Sequence, residues 1–265
     1  MSYKIYILIL FLQLIQPAVF SQAGKFNRPE HFNDLHTIYT YQKSNWDGSH
    51  ASVIFLYVKD TNRLVSFKWN KGDEWATIVS AEIDWTTFSV KKFTNNRIFR
   101  DGSKRKIAEL EATVPGKLQI RVGDYRDSLT LLNTHWHSYD FDFAGLGFTW
   151  RALKNKQASF SFLIADAYSR DNKNGFENKG YVQVNYTGME LVNGKNCFKY
   201  SVDGPGLQNK GGHIWINRET NMIELYKIQL PDEDGFVNGQ LKLLKTEKIS
   251  PAEWEKFIQD KMQGK

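Results

Sequence analysis

The sequence predicts an all-β fold: a strongly curved antiparallel sheet or incomplete β-barrel with a C-terminal amphipathic helix. From His36 onward, short β-branched and aromatic runs are repeatedly cut by turn-forming residue pairs. Ser250-Pro251-Ala252-Glu253 is a capping box with proline at the first helical position, and Trp254, Phe257, Ile258 and Met262 then share one helical face. Cys197 is the only cysteine among 265 residues, so no intrachain disulfide and no cysteine-built zinc site is available. The sheet must be stabilised by an apolar core, and a single sheet of this size buries its inner face by curving or by taking a cover.

The first segment reads as an address. Met1 to Lys4 is short and positive, Ile5–Ile15 is apolar, and Pro17-Ala18-Val19-Phe20-Ser21 supplies a helix break and small residues. Residues 1–21 are therefore expected to be a signal peptide cut after Ser21, residues 22–265 a single β-rich domain, and the location periplasmic or secreted. The apolar run spans 11 residues, against the roughly 18–20 of a membrane helix, and no later segment approaches that length. Lys4 is the one charge in residues 1–21, so the remainder carries +5 against +6 for the whole chain. The charges are dispersed rather than gathered in a basic stripe with stacking aromatics, so nucleic acid is not an expected partner. A mildly positive surface favours at most peripheral contact with anionic lipid, about 1 kcal/mol per well-placed cation.

Along the remainder, Glu30–Leu35 predicts one turn. Val53–Val58 is apolar on both faces and reads as a central strand, whereas Tyr181–Tyr186 alternates and reads as half exposed. Asp47-Gly48, Asp101-Gly102, Asn174-Gly175, Asn193-Gly194 and Asn238-Gly239 tolerate the positive φ of tight hairpins and predict a meander. Ala144–Leu153 is expected to be a weak helix or irregular connector, Tyr168–Lys179 an exposed polar loop, and the terminal helix a plug at an open end or edge of the sheet. No linker divides the chain, and no short repeat is present.

The most distinctive stretch is His135-Trp136-His137-Ser138-Tyr139-Asp140-Phe141-Asp142-Phe143. On a strand, His135, His137 and Tyr139 face one way and Trp136, Ser138, Asp140 and Asp142 the other. Two histidines on one face begin a metal site, for which His50 or His213 would have to supply a third zinc ligand. The competing reading has both histidines hydrogen-bonding at a strand end. Asp140 and Asp142 form a carboxylate pair that a turn or a salt bridge explains equally well. The usual serine-hydrolase, nucleotide-loop, dinucleotide and zinc-protease motifs are absent. Cys197 sits in an expected strand as a small core residue, and Pro231–Gly235 lacks the spacing of a calcium loop. Asn185-Tyr186-Thr187 fits a glycosylation sequon.

Eight tryptophans remain to be accounted for. They serve either as filling for the inner face of a large sheet or as a ligand wall.

Val192–Tyr200, Gly212–Asn217 and Ile223–Lys227, with Ala81–Asp84 and Phe88–Val90 upstream, resemble an uncharacterised family of exported bacterial β-rich proteins, over about residues 75–246. The layout is similar to periplasmic carriers of outer-membrane lipoproteins, half-open barrels that hold acyl chains, although this chain has no long helices between its strands. The resemblance implies a half-barrel and carries no site residue across. The function it favours is non-catalytic binding of a hydrophobic or amphipathic ligand, a lipid or acyl chain, with Trp69, Trp85, Trp136 and Tyr139 as lining. Burying apolar area at about 25 cal/mol per Å² would supply the affinity, and no cofactor is needed. The rival expectations are a metal-assisted envelope hydrolase with zinc on His135 and His137, and a glycan-binding or assembly module with its tryptophans exposed.

Overall fold

The computed structural model describes residues 24–70, 72–85, 89–114, 116–131, 135–138, 146–170, 173–231 and 235–264. The expected signal peptide, Tyr139, Asp140 and Asp142 lie outside them. The fold is one 15-stranded sheet that curves without closing into a barrel, with a C-terminal helix.

The first wing is a meander of β1 (Thr37–Ser44), β2 (Ser52–Asp60), β3 (Arg63–Lys68), β4 (Trp75–Asp84), β5 (Ser89–Phe99), β6 (Lys104–Val114), β7 (Lys117–Val122) and β8 (Tyr125–Thr130). The second comprises β10 (Phe160–Arg170), β11 (Lys173–Val192), β12 (Lys195–Asp203), β13 (Gly212–Asn217), β14 (Ile223–Ile228) and β15 (Gly239–Lys248). The wings join where β1 pairs antiparallel with β15. Between them in sequence, β9 (Trp136–Ser138) crosses from the β8 edge to the far edge and pairs parallel with β10.

Curvature brings the wing tips face to face. The Trp136 amide reaches Ser89 Oγ of β5 at 3.4 Å, and Asn174 Nδ2 on β11 donates to Asp124 Oδ1 in the β7–β8 turn at 2.8 Å. One large apolar cluster fills the enclosed side, with Leu56, Val79, Leu110 and Ile120 from the first wing against Phe162, Val182, Ile214 and Leu241 from the second.

The chain has a short helix, α1 (Thr149–Ala152), and a terminal helix, α2 (Pro251–Met262), and α2 forms as its capping box predicts. Glu253 N–H donates to Ser250 Oγ at 3.2 Å and Ser250 N–H to Glu253 Oε2 at 2.6 Å. It does not plug an end or edge. It lies on the outer face of the first wing, where Trp254, Ile258 and Met262 bury against Ile38, Tyr57, Val65, Phe67, Ala76 and Ile98. That placement explains why Val53–Val58 is apolar on both sides. Ile54, Leu56 and Val58 face the inner core while Tyr57 and Phe55 lie under the helix.

Three of the five turn pairs sit at hairpin tips with positive φ at Gly48, Gly102 and the Asn193–Gly194 pair. Asn238 instead ends the long β14–β15 connection and accepts the Trp46 amide at 2.8 Å. Asn174-Gly175 is not a turn, and the expected loop Tyr168–Lys179 is mostly strand, because β10 and β11 run almost to the hairpin tip. Gly175 pairs with Tyr168, and a Cβ at Gly175 would stand 2.4 Å from the Tyr168 hydroxyl. The glycine makes room for a ring rather than for a turn. Asn33–His36 forms the turn expected near Glu30–Leu35, displaced toward β1.

Candidate functional site

The segment expected to be a connector is the centre of the enclosed side. Leu146–Phe148 is a 3-10 turn and α1 (Thr149–Ala152) one further helical turn, and Leu146, Phe148, Trp150, Ala152 and Leu153 are all buried. Weak helix propensity disguised this segment, since Gly145 and Gly147 suggest irregular chain. The signal that marks it as core is the density of large apolar residues. Gly147 helps it seat, its backbone lying against Leu64, Met222 and Leu56 side chains.

Polar bonds hold this insert in place. Arg151 makes a bidentate pair with Asp34, at 2.9 and 2.6 Å, and Tyr39 Oη donates to the same carboxylate at 2.8 Å. The entering chain clips its other end, with Asn27 N–H donating to Ala152 O at 2.9 Å and Lys154 N–H to Lys25 O at 2.9 Å. The Lys156 ammonium donates to Trp150 O, and burial followed by the charge of Arg151 lowers its pKa to about 8.

His137 lies fully inside this packing. Its Nε2 is 3.4 Å from Thr149 Oγ1, its ring meets Phe162 edge-on at 5.1 Å, and burial, reinforced by His135, pushes its pKa down to about 3. His135 packs its ring edge-on against Phe26 at 4.8 Å. Among the described residues no set of three His, Cys, Asp or Glu converges to hold a metal. The third ligands weighed from sequence lie elsewhere, His50 against Phe236 and His213 beside Trp215 on β13.

The structure does not bring the expected lining tryptophans together. Trp136 is core, with 0% exposure. Trp69 packs on the outer-face cluster beneath α2, its Nε1–H donating to Asp73 O at 3.3 Å. Trp85 stands at the margin of the inner core just past the end of β4. Its Nε1–H donates to Thr61 O at 3.2 Å, and its ring meets Phe32 at 5.9 Å and Phe148 at 5.5 Å. Cys197 is a buried thiol in a small separate cluster with Val192 and Trp215, and burial raises its pKa to about 11, which disfavours the thiolate.

Beside Trp85 opens a cleft of about 500 Å³, lined by Ile83 and Trp85 with Arg28, Asn62, Glu82, Asp84 and Lys91 around them. Arg28 Nη2 donates to Thr61 Oγ1 at 3.3 Å, and Lys91 lies 3.6 Å from Glu82, which also receives Arg63 at 3.3 Å. The cleft thus has an apolar wall continuous with the core and a rim carrying both signs of charge. The sequence singles out Trp85 for its ring and gives Arg28 and Lys91 no site role, because surface cations acquire one only when folding sets them around an opening.

No family model matches the chain, and no curated protein matches its sequence. Among solved structures, the β-barrel-like protein of the domain of unknown function DUF1849 from Brucella abortus is 10% identical, with a TM-score of 0.45 over 83% of this chain and 100% of that one. A putative outer membrane lipoprotein-sorting protein domain from Vibrio parahaemolyticus is 8% identical, with a TM-score of 0.22 over 88% of this chain and 93% of the other. A DUF1329 family protein from Desulfovibrio piger is 9% identical, with a TM-score of 0.22 over 83% and 90%. At this level of similarity they assign this chain no fold, ligand or residue role.

Proposed function

We propose that this protein is a non-catalytic, exported binder of a single-chain amphipathic ligand, taken up at the Trp85 cleft. The observation that carries the reading is the junction of Trp85 with a charged rim of Arg28, Lys91, Glu82 and Asp84. An acyl chain would lie against the indole while its headgroup stayed among the ions. Ligand pockets generally span about 300–1,000 Å³, and a cleft of about 500 Å³ suits one chain rather than two. The affinity would come from apolar area withdrawn from water, at about 25 cal/mol per Å², reduced by the cost of fixing a flexible chain. The interior behind Trp85 is filled by Phe148, Trp150 and Trp136, so the ligand is held at the margin of the sheet rather than deep within it. The signal-peptide pattern of residues 1–21 supports the exported location.

Calorimetric titration with palmitoyl lysophosphatidylglycerol and lysophosphatidylcholine below their micellar concentrations tests the reading. Saturable one-to-one binding that falls at least tenfold in Trp85→Ala and is unchanged in Trp69→Ala is the expected result. Equal losses in both variants, or no saturable binding by the wild type, would overturn it.

A further inference from the structure

Near the opposite end of β4 from Trp85, a second cleft of about 460 Å³ is lined by Arg97, Arg105, Lys106, Gly123, Ser169 and Asn174. Lys91 and Arg97 of β5 line the two clefts six residues apart, which at about 3.3 Å per residue separates them by roughly 20 Å. Whatever occupies this one is independent of the amphiphile proposed above.

Arg97 of β5 and Arg105 of β6 are direct cross-strand partners. Like charges in that arrangement repel and weaken the sheet, and neither guanidinium has a carboxylate partner among the described residues. The neighbouring carboxylates are already engaged. Glu109 takes Lys106 at 2.7 Å, Arg121 at 2.9 Å and Lys92 at 3.2 Å, and Asp124 receives Asn174 Nδ2 at 2.8 Å. A further cation stands close by, since Arg126 Nη1 donates to the Gly123 carbonyl at 2.6 Å.

Both guanidiniums are supported by rings. The Arg97 guanidinium lies 4.0 Å from the centroid of the Trp75 ring and that of Arg105 lies 5.8 Å from the centroid of Phe99, while Trp75 and Phe99 are themselves partners across β4 and β5. Ile98 points the other way, into the cluster under α2. Stacking occupies the flat faces of a guanidinium and leaves its N–H edges to an acceptor lying in its plane. Burial and the proximity of Arg105 both lower the pKa of Arg97, as expected for a cation lacking its counter-ion.

The opposite wall is the tip of the β10–β11 hairpin. Ser169 Oγ donates to Asn174 Oδ1 at 2.8 Å, so both side chains are held in place beside the two arginines. Gly123 permits this approach, because its φ is +55° and a Cβ there would stand 2.4 Å from Asn174 Nδ2. The cleft therefore exists only where the two wings meet.

We infer that this cleft binds a phosphate monoester dianion, with Arg97 and Arg105 as paired ligands and the remaining amide N–H of Asn174, held in place by Ser169 and Asp124, as the facing donor. A carboxylate offers two oxygens in one plane and satisfies one guanidinium fork. A terminal phosphate offers three oxygens and two charges, which matches two forks on adjacent strands and neutralises both cations. The same chemistry is carried by a free phosphorylated small molecule and by a phosphatidic-acid headgroup.

Titration calorimetry of the full chain with inorganic phosphate, dihexanoyl phosphatidic acid and dihexanoyl phosphatidylcholine, at one chloride-adjusted ionic strength, tests the inference. Wild type is expected to bind inorganic phosphate or phosphatidic acid saturably and not phosphatidylcholine, and Arg97→Gln/Arg105→Gln to bind at least tenfold more weakly. Phosphatidic acid binding tenfold or more tightly than phosphate identifies a lipid source, and comparable affinities identify a free phosphorylated molecule. Saturable binding of neither, or affinity unchanged in the glutamine pair, overturns the assignment. If the glutamine pair does not fold, Arg97→Lys/Arg105→Lys keeps the charge and loses the fork. A fivefold or greater loss of affinity in that variant supports the site, and a smaller change overturns it.

Discussion

Arg151 and Asp34 meet through two hydrogen bonds, 2.9 and 2.6 Å long, and this pair ties the short helix inside the sheet to the chain entering β1. The Arg151 side chain is 7% exposed and that of Asp34 17%, so removing either partner strands a charge in a poorly solvated place. Arg151→Ala and Asp34→Ala are each expected to cost about 3 kcal/mol, seen as a fall of roughly 6–12 °C in melting temperature for a chain of this size. Asp34→Ala/Arg151→Met should recover part of the loss, because it leaves no unpaired charge.

That pair also shows where sequence reading stops. The insert Leu146–Leu153 reads as an indifferent connector because propensity is local, whereas its burial is decided by two wings that curl around it from opposite ends of the chain. Similarly, the polar stretch Tyr168–Lys179 reads as a loop although its strands alternate about Tyr168 and Gly175, because a far-wing strand with a solvated face has loop-like composition. What depended on local chemistry was legible. The capping box at Ser250 and Glu253, the turn at Asn193-Gly194 and the two-faced strand at Val53–Val58 all form as expected. Of the proposed site, residue type singles out Trp85 as a candidate, while the cations around it and the Arg97–Arg105 pairing arise from register and closure that no local pattern encodes.

Stability should fall with acid in two stages of different origin. His137 is held neutral, its pKa lowered from 6.5 to about 3 by burial and then by His135. The unfolded chain takes up a proton there first, so stability is lost as pH falls from 6.5 toward 3, with a slope of at most about 1.4 kcal/mol per pH unit. Glu109 is held ionised, its pKa lowered from 4.5 to about 2, chiefly by the hydrogen bond from Lys106 and then by Lys92 and Arg121. Its contribution is complete above 4.5 and is lost as pH falls toward 2. It amounts to about 1–2 kcal/mol, because the three cations are partly solvated. Urea unfolding from pH 7 to 3 checks both. His137→Phe should flatten the upper part of the profile, and Glu109→Gln only the part below about pH 4.5.

The helix on the outer face is held by one stacked pair above all. The rings of Tyr57 and Trp254 lie 4.6 Å apart at an interplanar angle of 11°, with Phe67 edge-on to Trp254 at 6.4 Å. Trp254→Ala should cost about 3–5 kcal/mol and Ser250→Ala about 1 kcal/mol through the lost cap. Chemical denaturation of both variants gives that order if α2 belongs to the same cooperative unit as the sheet. A transition confined to the helix would separate it from that unit.

Occupancy of the Trp85 cleft by an amphiphile is what the proposed function requires. Organic-solvent extraction and mass spectrometry of the purified protein, beside Trp85→Ala and a mock preparation, tests it most directly. The account predicts about one single-chain amphiphile per wild-type molecule and a severalfold depletion in Trp85→Ala. A wild-type protein free of lipid, or carrying the same lipid at the same ratio as the variant, would contradict it.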